Sequence, residues 1–519
     1  MAHQMPVRID GGRLQREGDR QRIATLLRPC QTGPEQRQGD AFITNDPWKA
    51  TGHLSDLTAV TPCSHKGKLI ALFACTTHVV DIGGNGPSPK SRHVFGEGLF
   101  IPIMRIMSKG RMSEDLLTIV RANVREPIQV EGGIFALVTC NDVGGRRLAK
   151  IMEEYAFDDL EEVGAFILRT SRKAMIEAIA KLPKGRWSNR LLIDGYEAPV
   201  DLAATVTVDG ESVHIDMDGT SPASAYRINC PLCYTEAYAA FGVKCLVAPD
   251  LPNNAATLAC IKLSAPEDCI ANALYPRPVV ARSTIRMFLP DLIFGCFEQA
   301  LSDRVPVEST GSLWNVRVAA SRSETAPAFM VTSFHSGGAG ARPALDGLSA
   351  TPFPSGVRNV PVEITEAITP IVVWKKELRT DSGGEGRQRG GLVQIMVVGS
   401  RDERPVTLYA RFERIDNPAG GRQGGQPGAA GRLALQSGEK LKPKGMQPVP
   451  AGESVVLEMP GGGGYGDPAL RAADAVALDV RRGYVSAEQA LETYKVAINP
   501  DGAIDQEATE ALRRASHAG

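Results

Sequence analysis

The chain has 519 residues, of which 43% are hydrophobic and 23% charged, and its formal net charge is −1. This composition is ordinary for a globular protein, and the length allows several separately packed cores. Because contact with phosphates requires a basic face, the balanced charge argues against a nucleic-acid-binding protein. A small charged substrate is compatible with these numbers.

No stretch of about 18 uncharged apolar residues occurs, and the N-terminus MAHQMPVRIDGGRLQREGD contains no apolar signal core. We therefore expect a cytoplasmic protein that does not associate with membranes. In that compartment the ten cysteines are expected to be free thiols. The CxxC of Cys230 and Cys233 has no second cysteine or histidine pair nearby, which favours structural thiols over a zinc site.

The N-terminal third of the chain predicts strands followed by helices. Between 113 and 181, apolar residues recur at three- and four-residue spacing, which predicts helices, with Ser113 as the first N-cap. A turn is expected at 65–68. The strands before the helices, rich in β-branched and apolar residues, are predicted at 39–46, 56–63 and 68–80.

The remaining chain predicts a mixture of both element types. Asp209 and Gly210 are expected at the tip of a hairpin. Six strands are expected between 316 and 462, and amphipathic helices in the last fifty residues. Glycine clusters between these strands predict tight turns. Further helices are predicted at 231–248 and 281–302.

These elements predict an α+β fold of several subdomains, β-rich with mixed sheets, a central helical segment and a helical C-terminal tail. The segment GGEGRQRGG at 383–391 matches neither the Walker A nor the dinucleotide-binding pattern in full, so we interpret its glycines as turns. The predicted division is a metal-site β region at 1–112, a helical region at 113–185, an α/β region at 186–350, a glycine-rich β region at 351–468 and a helical tail at 469–519.

Three of the eight histidines fall in one short segment, NDPWKATGHLSDLTAVTPCSHKGKLIALFACTTHVVDIGG at 45–84. His53 and His78 each have an aspartate three positions on, at Asp56 and Asp81. Residues i and i+3 of a strand face opposite sides, so both members of such a pair reach one ion only if the backbone turns between them. Gly52 makes that turn credible beside His53. On the residues alone, each histidine is either a metal ligand or a hydrogen-bonded structural residue.

Several motifs taken in order resemble the hydantoinase B/oxoprolinase family. The family comprises the amidase-side subunits of ATP-dependent hydantoinases and 5-oxoprolinases, with relatives among the acetone and acetophenone carboxylases. The matching motifs are NDP at 45–47, HLSD at 53–56, HVVDIGG at 78–84, GEG at 96–98 with IP at 101–102, NVREP at 123–127, DGTSP at 218–222, PVE at 361–363, DSGG at 381–384, RGG at 389–391 and GGGGYGDP at 461–468.

The resemblance implies a divalent metal held by an acidic residue of an N-terminal segment and by His53, Asp56 and His78. Asp81 is a further candidate, either as a ligand or as a group that orients a ligating imidazole. Such donors suit Zn²⁺, Mn²⁺ or Fe²⁺. The family pattern starts about sixty residues earlier, so we expect the chain to lack those residues and the fourth ligand.

The resemblance also implies a reaction and a partner. We expect a hetero-oligomer in which a hydantoinase A-type ATPase subunit binds ATP and this chain opens a hydantoin- or oxoproline-like cyclic amide at the metal. A ketone carboxylase subunit and an inactive scaffold subunit are the alternatives. No catalytic residue beyond the ligands is assigned. Glu97 is either a general base or an exposed loop carboxylate.

Overall fold

The computed structural model describes residues 39–86, 91–311, 313–324, 326–358, 360–402 and 404–517. Helices alternate with several sheets in these residues, and the predicted α+β class is confirmed. The chain divides into two compact units, one formed by the described residues up to Arg186 with Thr205–Arg286, the other by Trp187–Ala204 with the described residues from Met287 onward. The division into five regions stays a prediction. None of the helices in these residues is both long and apolar enough to cross a membrane.

The elements follow one another in an irregular alternation. The strands are β1 (Ala41–Thr44), β2 (Asp56–His65), β3 (Lys68–His78), β4 (Met104–Ser108), β5 (Arg111–Met112), β6 (Gly185–Ile193), β7 (Val200–Val208), β8 (Val213–Asp216), β9 (Ile261–Ser264), β10 (Trp314–Ala320), β11 (Phe329–His335), β12 (Ile371–Leu378), β13 (Gln394–Ser400), β14 (Val406–Arg411), β15 (Arg432–Leu435), β16 (Lys444–Val449) and β17 (Val455–Glu458). The helices are α1 (Glu114–Asn123), α2 (Pro127–Glu154), α3 (Glu161–Ile179), α4 (Leu232–Val247), α5 (Ala255–Leu258), α6 (Ser283–Arg286), α7 (Leu289–Phe297), α8 (Val362–Ile368), α9 (Ala473–Arg481), α10 (Ala487–Glu492) and α11 (Gln506–His517), with 3-10 turns at Val94–Gly96 and Pro468–Leu470.

A five-stranded antiparallel sheet in the first unit has the order β3-β2-β1-β4-β5. Its longest pairing is the β2–β3 hairpin, whose register runs from Asp56 opposite His78 to His65 opposite Lys68. The turn predicted at 65–68 is confirmed, since Lys66 and Gly67 both have positive φ. Asp56 and His78 therefore face each other at the open end of this hairpin.

Helix α2 covers one face of the β2–β3 hairpin and forms the core of the first unit with it. The Ser113 cap is confirmed, because its side chain accepts the amide proton of Leu116 at 3.4 Å. Burial of each large side chain in this core contributes roughly 2 kcal/mol. The fully buried members that join strand to helix include Leu57, Ala59, Val130, Ile134 and Leu137.

Backbone packing positions the glycines that follow β3. Gly83 has φ +80°, and a Cβ atom there would lie 2.3 Å from the carbonyl oxygen of Asn123. Gly84 has φ +63°, and its Cβ would lie 2.5 Å from the amide nitrogen of Gly98. Since a side chain fits at neither position, the DIGG motif holds the chain after His78 against two other segments.

Replacing Gly83 with alanine is expected to lower the free energy of unfolding by about 2 kcal/mol or more, through both the strained φ and the overlap with Asn123. The matched control is Gly132→Ala on α2, where a Cβ meets nothing within 4 Å. There the higher helix propensity of alanine is expected to add about 0.5–1 kcal/mol. Chemical denaturation measures both changes, and equal effects of the two substitutions would contradict the packing argument.

Two antiparallel sheets form the core of the second unit, in the orders β11-β10-β14-β16 and β12-β13-β17-β15. Their inner faces meet around Trp314 and Phe412, whose stacked rings have centroids 4.4 Å apart. The six predicted strands are confirmed, whereas β15, β16 and α8 were not predicted. The single helix predicted at 281–302 is wrong: α6 and α7 are separate, because Pro290 in the first turn of α7 cannot continue a helix from before it.

The glycine clusters of the second unit pack backbone against backbone. A Cβ on Gly461 would lie 1.7 Å from the Ser382 carbonyl oxygen, and one on Gly338 would lie 1.9 Å from that of Gly391. Neither residue has positive φ. The turn interpretation is therefore wrong for these glycines, which instead allow segments of chain to approach more closely than any side chain permits.

Candidate metal centre

The open end of the β2–β3 hairpin places a carboxylate beside an imidazole. Asp56 is the first residue of β2 and His78 the last of β3, and the two are cross-strand partners. Nδ1 of His78 and Oδ1 of Asp56 are hydrogen-bonded at 2.7 Å. Directly opposed side chains in an antiparallel pair are close enough to share a ligand, so the strand register alone brings these donors together.

His53 reaches the same carboxylate through a turn that precedes β2. Gly52 has φ +86°, and the amide of Asp56 donates to the carbonyl oxygen of His53 at 3.4 Å. Nε2 of His53 lies 2.8 Å from Oδ1 of Asp56, and the rings of His53 and His78 stack with centroids 5.1 Å apart. The turn expected within the HLSD motif is confirmed.

One donor atom from each of His53, Asp56 and His78 lies within 4.8 Å of the other two. Both ring nitrogens of His53 are buried: Nε2 contacts the carboxylate of Asp56, and Nδ1 has no hydrogen-bond partner. A buried imidazole nitrogen without a hydrogen-bond partner is rare in proteins. Two imidazoles and a carboxylate whose donor atoms lie this close together fit a divalent ion such as Zn²⁺, Mn²⁺ or Fe²⁺.

Electrostatics keep His53 and Asp56 in the protonation states that a cation requires. Burial lowers the pKa of His53 to about 4, assisted by the charge of Arg282, so its imidazole is neutral at pH 7. Burial raises the pKa of Asp56, but its contacts with His53 and His78 and the charge of Arg282 outweigh burial and hold that pKa well below its usual range. A neutral imidazole and an ionised carboxylate are the forms that bind metals.

Arg282 is a residue of this site that the sequence did not indicate. Its Nη2 donates to Oδ2 of Asp56 at 3.0 Å, and its Nε donates to the carbonyl oxygen of Thr51 at 2.8 Å. The guanidinium lies 4.2 Å from the ring centroid of Tyr234. The sequence contains one indirect sign of this contact, the glycine at position 52. A Cβ atom there would lie 2.7 Å from Cδ of Arg282, so a larger residue would collide with the arginine.

Asp81 does not join the cluster of His53, Asp56 and His78. Its Oδ1 accepts the amide proton of Gly83 at 3.2 Å and pairs with Nη1 of Arg125 at 2.8 Å, and its Oδ2 accepts the amide proton of Arg125. Asp81 thus ties the DIGG motif to the NVREP motif. Its role as a ligand, or as a group that orients one, stays a prediction.

Glu97 is buried, at 2% exposure, so the expectation of an exposed loop carboxylate is wrong. It accepts the amide protons of Val279 and Val280 at 3.1 and 3.0 Å and pairs with Arg227 at 3.3 Å. Burial raises the pKa of Glu97, and Arg227 with the two amides opposes this rise. These contacts fix the backbone that leads to Arg282, which is a positioning role.

The thiols have structural surroundings. The described cysteines are free, and burial raises the pKa of Cys230 to about 12. Sγ of Cys233 donates to the carbonyl oxygen of Pro47 at 3.5 Å. A thiol that stays protonated is neither a nucleophile nor a metal ligand at neutral pH, which agrees with the prediction of structural thiols.

The family comparison agrees with the motif order. The model of the family described as hydantoinase B/oxoprolinase matches residues 21–468. The chain belongs to the hydantoinase B/oxoprolinase family. The resemblance inferred from the motifs is thereby confirmed, and it extends over most of the chain.

Individual relatives of this family member are similar along most of their length. A protein of Pseudomonas sp. (strain NS671), provisionally named as a subunit of a D-/L-hydantoinase, is 28% identical over 506 residues, which cover 92% of this chain and 84% of the relative. The crystal structure of ATP-dependent caprolactamase from Pseudomonas jessenii has a TM-score of 0.82 at 26% identity, covering 95% of this chain and 89% of that one. Nucleotide-free acetone carboxylase, with a TM-score of 0.77 at 20% identity, covering 96% and 74%, shares the fold.

Proposed function

We propose that this chain is the metal-bearing subunit of an ATP-dependent hydrolase that opens a hydantoin- or oxoproline-like cyclic amide. The observation that carries the proposal is the convergence of His53, Asp56 and His78 on one point in a member of this family. In this proposal the three side chains hold a Zn²⁺, Mn²⁺ or Fe²⁺ ion. When bound, such an ion supplies Lewis acidity that polarises a carbonyl group.

The surrounding residues orient these donors and leave access for a substrate. Arg282 donates a hydrogen bond to Oδ2 of Asp56, the oxygen that does not contact the imidazoles. This bond keeps the carboxylate from rotating away from the imidazoles. His53 is buried, whereas the side chain of His78 is 61% exposed. The cluster is thus closed on the side of His53 and open on the side of His78, where a ring carbonyl can approach.

A partner protein is part of the proposal. The relative from Pseudomonas sp. is named as one subunit of a hydantoinase, and the caprolactamase is named as ATP-dependent. We infer that ATP binds to a hydantoinase A-type ATPase subunit in a hetero-oligomer. That ATPase transfers the γ-phosphoryl group to the ring carbonyl oxygen, leaving ADP. Water then adds to the same carbon and the ring C–N bond breaks, which releases the amine and leaves an acyl phosphate. A second water attacks the acyl carbon, and phosphate departs with the former carbonyl oxygen, which leaves the carboxylate.

The test is reconstitution with the ATPase subunit, a divalent metal and ATP. Ring opening of a hydantoin, 5-oxoproline or caprolactam is expected, with one ADP formed per ring opened, and a chelator is expected to abolish it. An absence of ring opening under these conditions counts against the proposal. Bicarbonate-dependent consumption of a ketone by the same mixture would assign the carboxylase reaction instead.

A further inference from the structure

Buried polar atoms without a hydrogen bond are concentrated at one place in the first unit. Among the described residues of this unit, the buried side-chain nitrogen and oxygen atoms that lack a polar partner are Oγ1 of Thr51, Nδ1 of His53 and Nε of Arg286. Unsatisfied buried groups in a native protein require an explanation such as a bound ligand. The metal accounts for His53 but not for Thr51 and Arg286.

Arg286 ends helix α6 and lies between two tyrosines. Its guanidinium is 5.0 Å from the ring centroid of Tyr234 and 4.5 Å from that of Tyr238. Nη1 of Arg286 donates to the hydroxyl of Tyr238. Arg286 is half-buried. Within the described part of the chain no carboxylate lies within ion-pair distance of it, so its positive charge is not neutralised.

Tyr234 connects this charge to the metal centre, because the guanidinium of Arg282 also lies on its ring. Burial raises the pKa of Tyr234, so its phenol supplies no negative charge. The carboxylate that neutralises Arg282 is that of Asp56, which also contacts both imidazoles. Of the two arginines that lie against Tyr234, only Arg282 therefore has a carboxylate partner, and a bound divalent cation increases the positive excess. Such an excess in a partly buried site favours an anion.

We propose that Arg286 and the hydroxyl of Thr51 form a binding subsite for a phosphoryl group beside the metal centre, with Arg282 as its neighbouring charge. This inference rests on the proposed function, in which the substrate reaches the metal as a phosphate ester of the ring oxygen. A phosphoryl group offers three acceptor oxygens and up to two negative charges, which match a guanidinium fork and a hydroxyl donor. Tyr238 positions the guanidinium group of Arg286, because its hydroxyl accepts a hydrogen bond from Nη1.

A carboxylate group of the substrate could occupy the same subsite instead of a phosphoryl group. Binding measurements with phosphate and with acetate distinguish these two occupants. Inorganic phosphate and acetate are titrated into the full-length chain by calorimetry, with the metal loaded and after chelation. Phosphate is expected to bind at least about tenfold more tightly than acetate, because of its higher charge and additional acceptors. Acetate binding as tightly as phosphate would overturn the phosphoryl assignment.

The decisive variant is Arg286→Gln, and the matched control is Arg169→Gln on the exposed surface of α3. Arg286→Gln is expected to weaken phosphate binding at least about tenfold, the effect of one charge-assisted hydrogen-bonded pair, and Tyr238→Phe to weaken it less. Arg169→Gln is expected to leave it unchanged. Undetectable binding of phosphate to the wild type, or equal binding to wild type and Arg286→Gln, overturns the subsite.

The outcomes separate the subsite from the hydrolase proposal. Metal content is measured on each variant, and Arg286→Gln is expected to retain its metal, since it touches no ligand. If ring opening is never observed but phosphate binding depends on Arg286, the subsite stands and the hydrolase proposal falls. If ring opening is observed while Arg286→Gln leaves phosphate binding and KM unchanged, the subsite falls and the hydrolase proposal stands.

Discussion

His53→Ala is expected to lower ring opening by the reconstituted enzyme more than about 100-fold and to leave the chain with little bound metal. Loss of a group that merely supports a metal ligand commonly costs about 10–100-fold, and loss of a ligand costs more. His53 is also the most enclosed of the three proposed donors. Elemental analysis of the purified variant and the coupled ADP assay measure the two effects.

The matched control is His65→Ala, which removes an imidazole from the opposite, closed end of the same hairpin. This variant is expected to keep its metal and its activity, because residue 65 ends β2 beside the turn and lies outside the cluster. Circular dichroism establishes that both variants are folded. Retention of stoichiometric metal by His53→Ala would remove His53 from the ligand set and with it the proposed centre.

Asp56→Asn is expected to abolish metal binding and also to destabilise the first unit. The substitution leaves the positive charge of Arg282 without its carboxylate partner. Both side chains are largely buried, with 7% of Arg282 and 14% of Asp56 exposed. Breaking a buried ion pair from one side costs about 3 kcal/mol. The matching control is Asp158→Asn, which breaks the exposed pair with Lys66 and should change the unfolding temperature little.

The double variant with Arg282→Met separates the two consequences of losing Asp56. Removing the unpaired charge is expected to restore most of the unfolding temperature lost in Asp56→Asn, whereas the metal is not regained. Differential scanning calorimetry and elemental analysis provide the two readings. If the double variant is no more stable than Asp56→Asn, the ion pair between Asp56 and Arg282 does not have the energetic role that its geometry indicates.

The cluster of His53, Asp56 and His78 could be predicted from the sequence because its members are local. His53, Asp56 and His78 lie within 26 positions, and the pattern of two strands and a turn is sufficient to bring them together. The glycine at position 52 predicted the turn of the backbone at the HLSD motif. The resemblance carried by the motif order then favoured the ligand role of the histidines over a structural one, and that role stays a prediction.

The arginines could not be predicted because their contacts are not local. Arg282 and Asp56 are separated by 226 positions, and neither Arg282 nor Arg286 stands in a recognisable motif. Their placement depends on Glu97 holding the preceding backbone, which is itself a long-range contact. Sequence periodicity contains no information about which distant loop returns to a given strand end.

Errors in the predicted fold have similar physical origins. Composition does not distinguish a glycine that turns the chain from one that admits a neighbouring backbone, and in the second unit Gly338 and Gly461 belong to the latter kind. Strand β16 has the sequence KGMQPV, whose lysine, glycine and proline do not favour a strand. It forms nonetheless because it pairs with β14 at the edge of a sheet.

The hairpin register restricts how this part of the molecule can change in length. Asp56 and His78 oppose each other at one end, and at the other end Gly67 has open space around it. Extra residues at that tip leave every cross-strand partner in place. The pairing already shifts by one residue between Cys63 and Ser64, near the tip. Between that shift and the open end, one extra residue in β2 or β3 would turn the side chains beyond it to the other face of the sheet and part the two side chains. Insertions and deletions among homologous chains that keep the ion should therefore be confined to the tip.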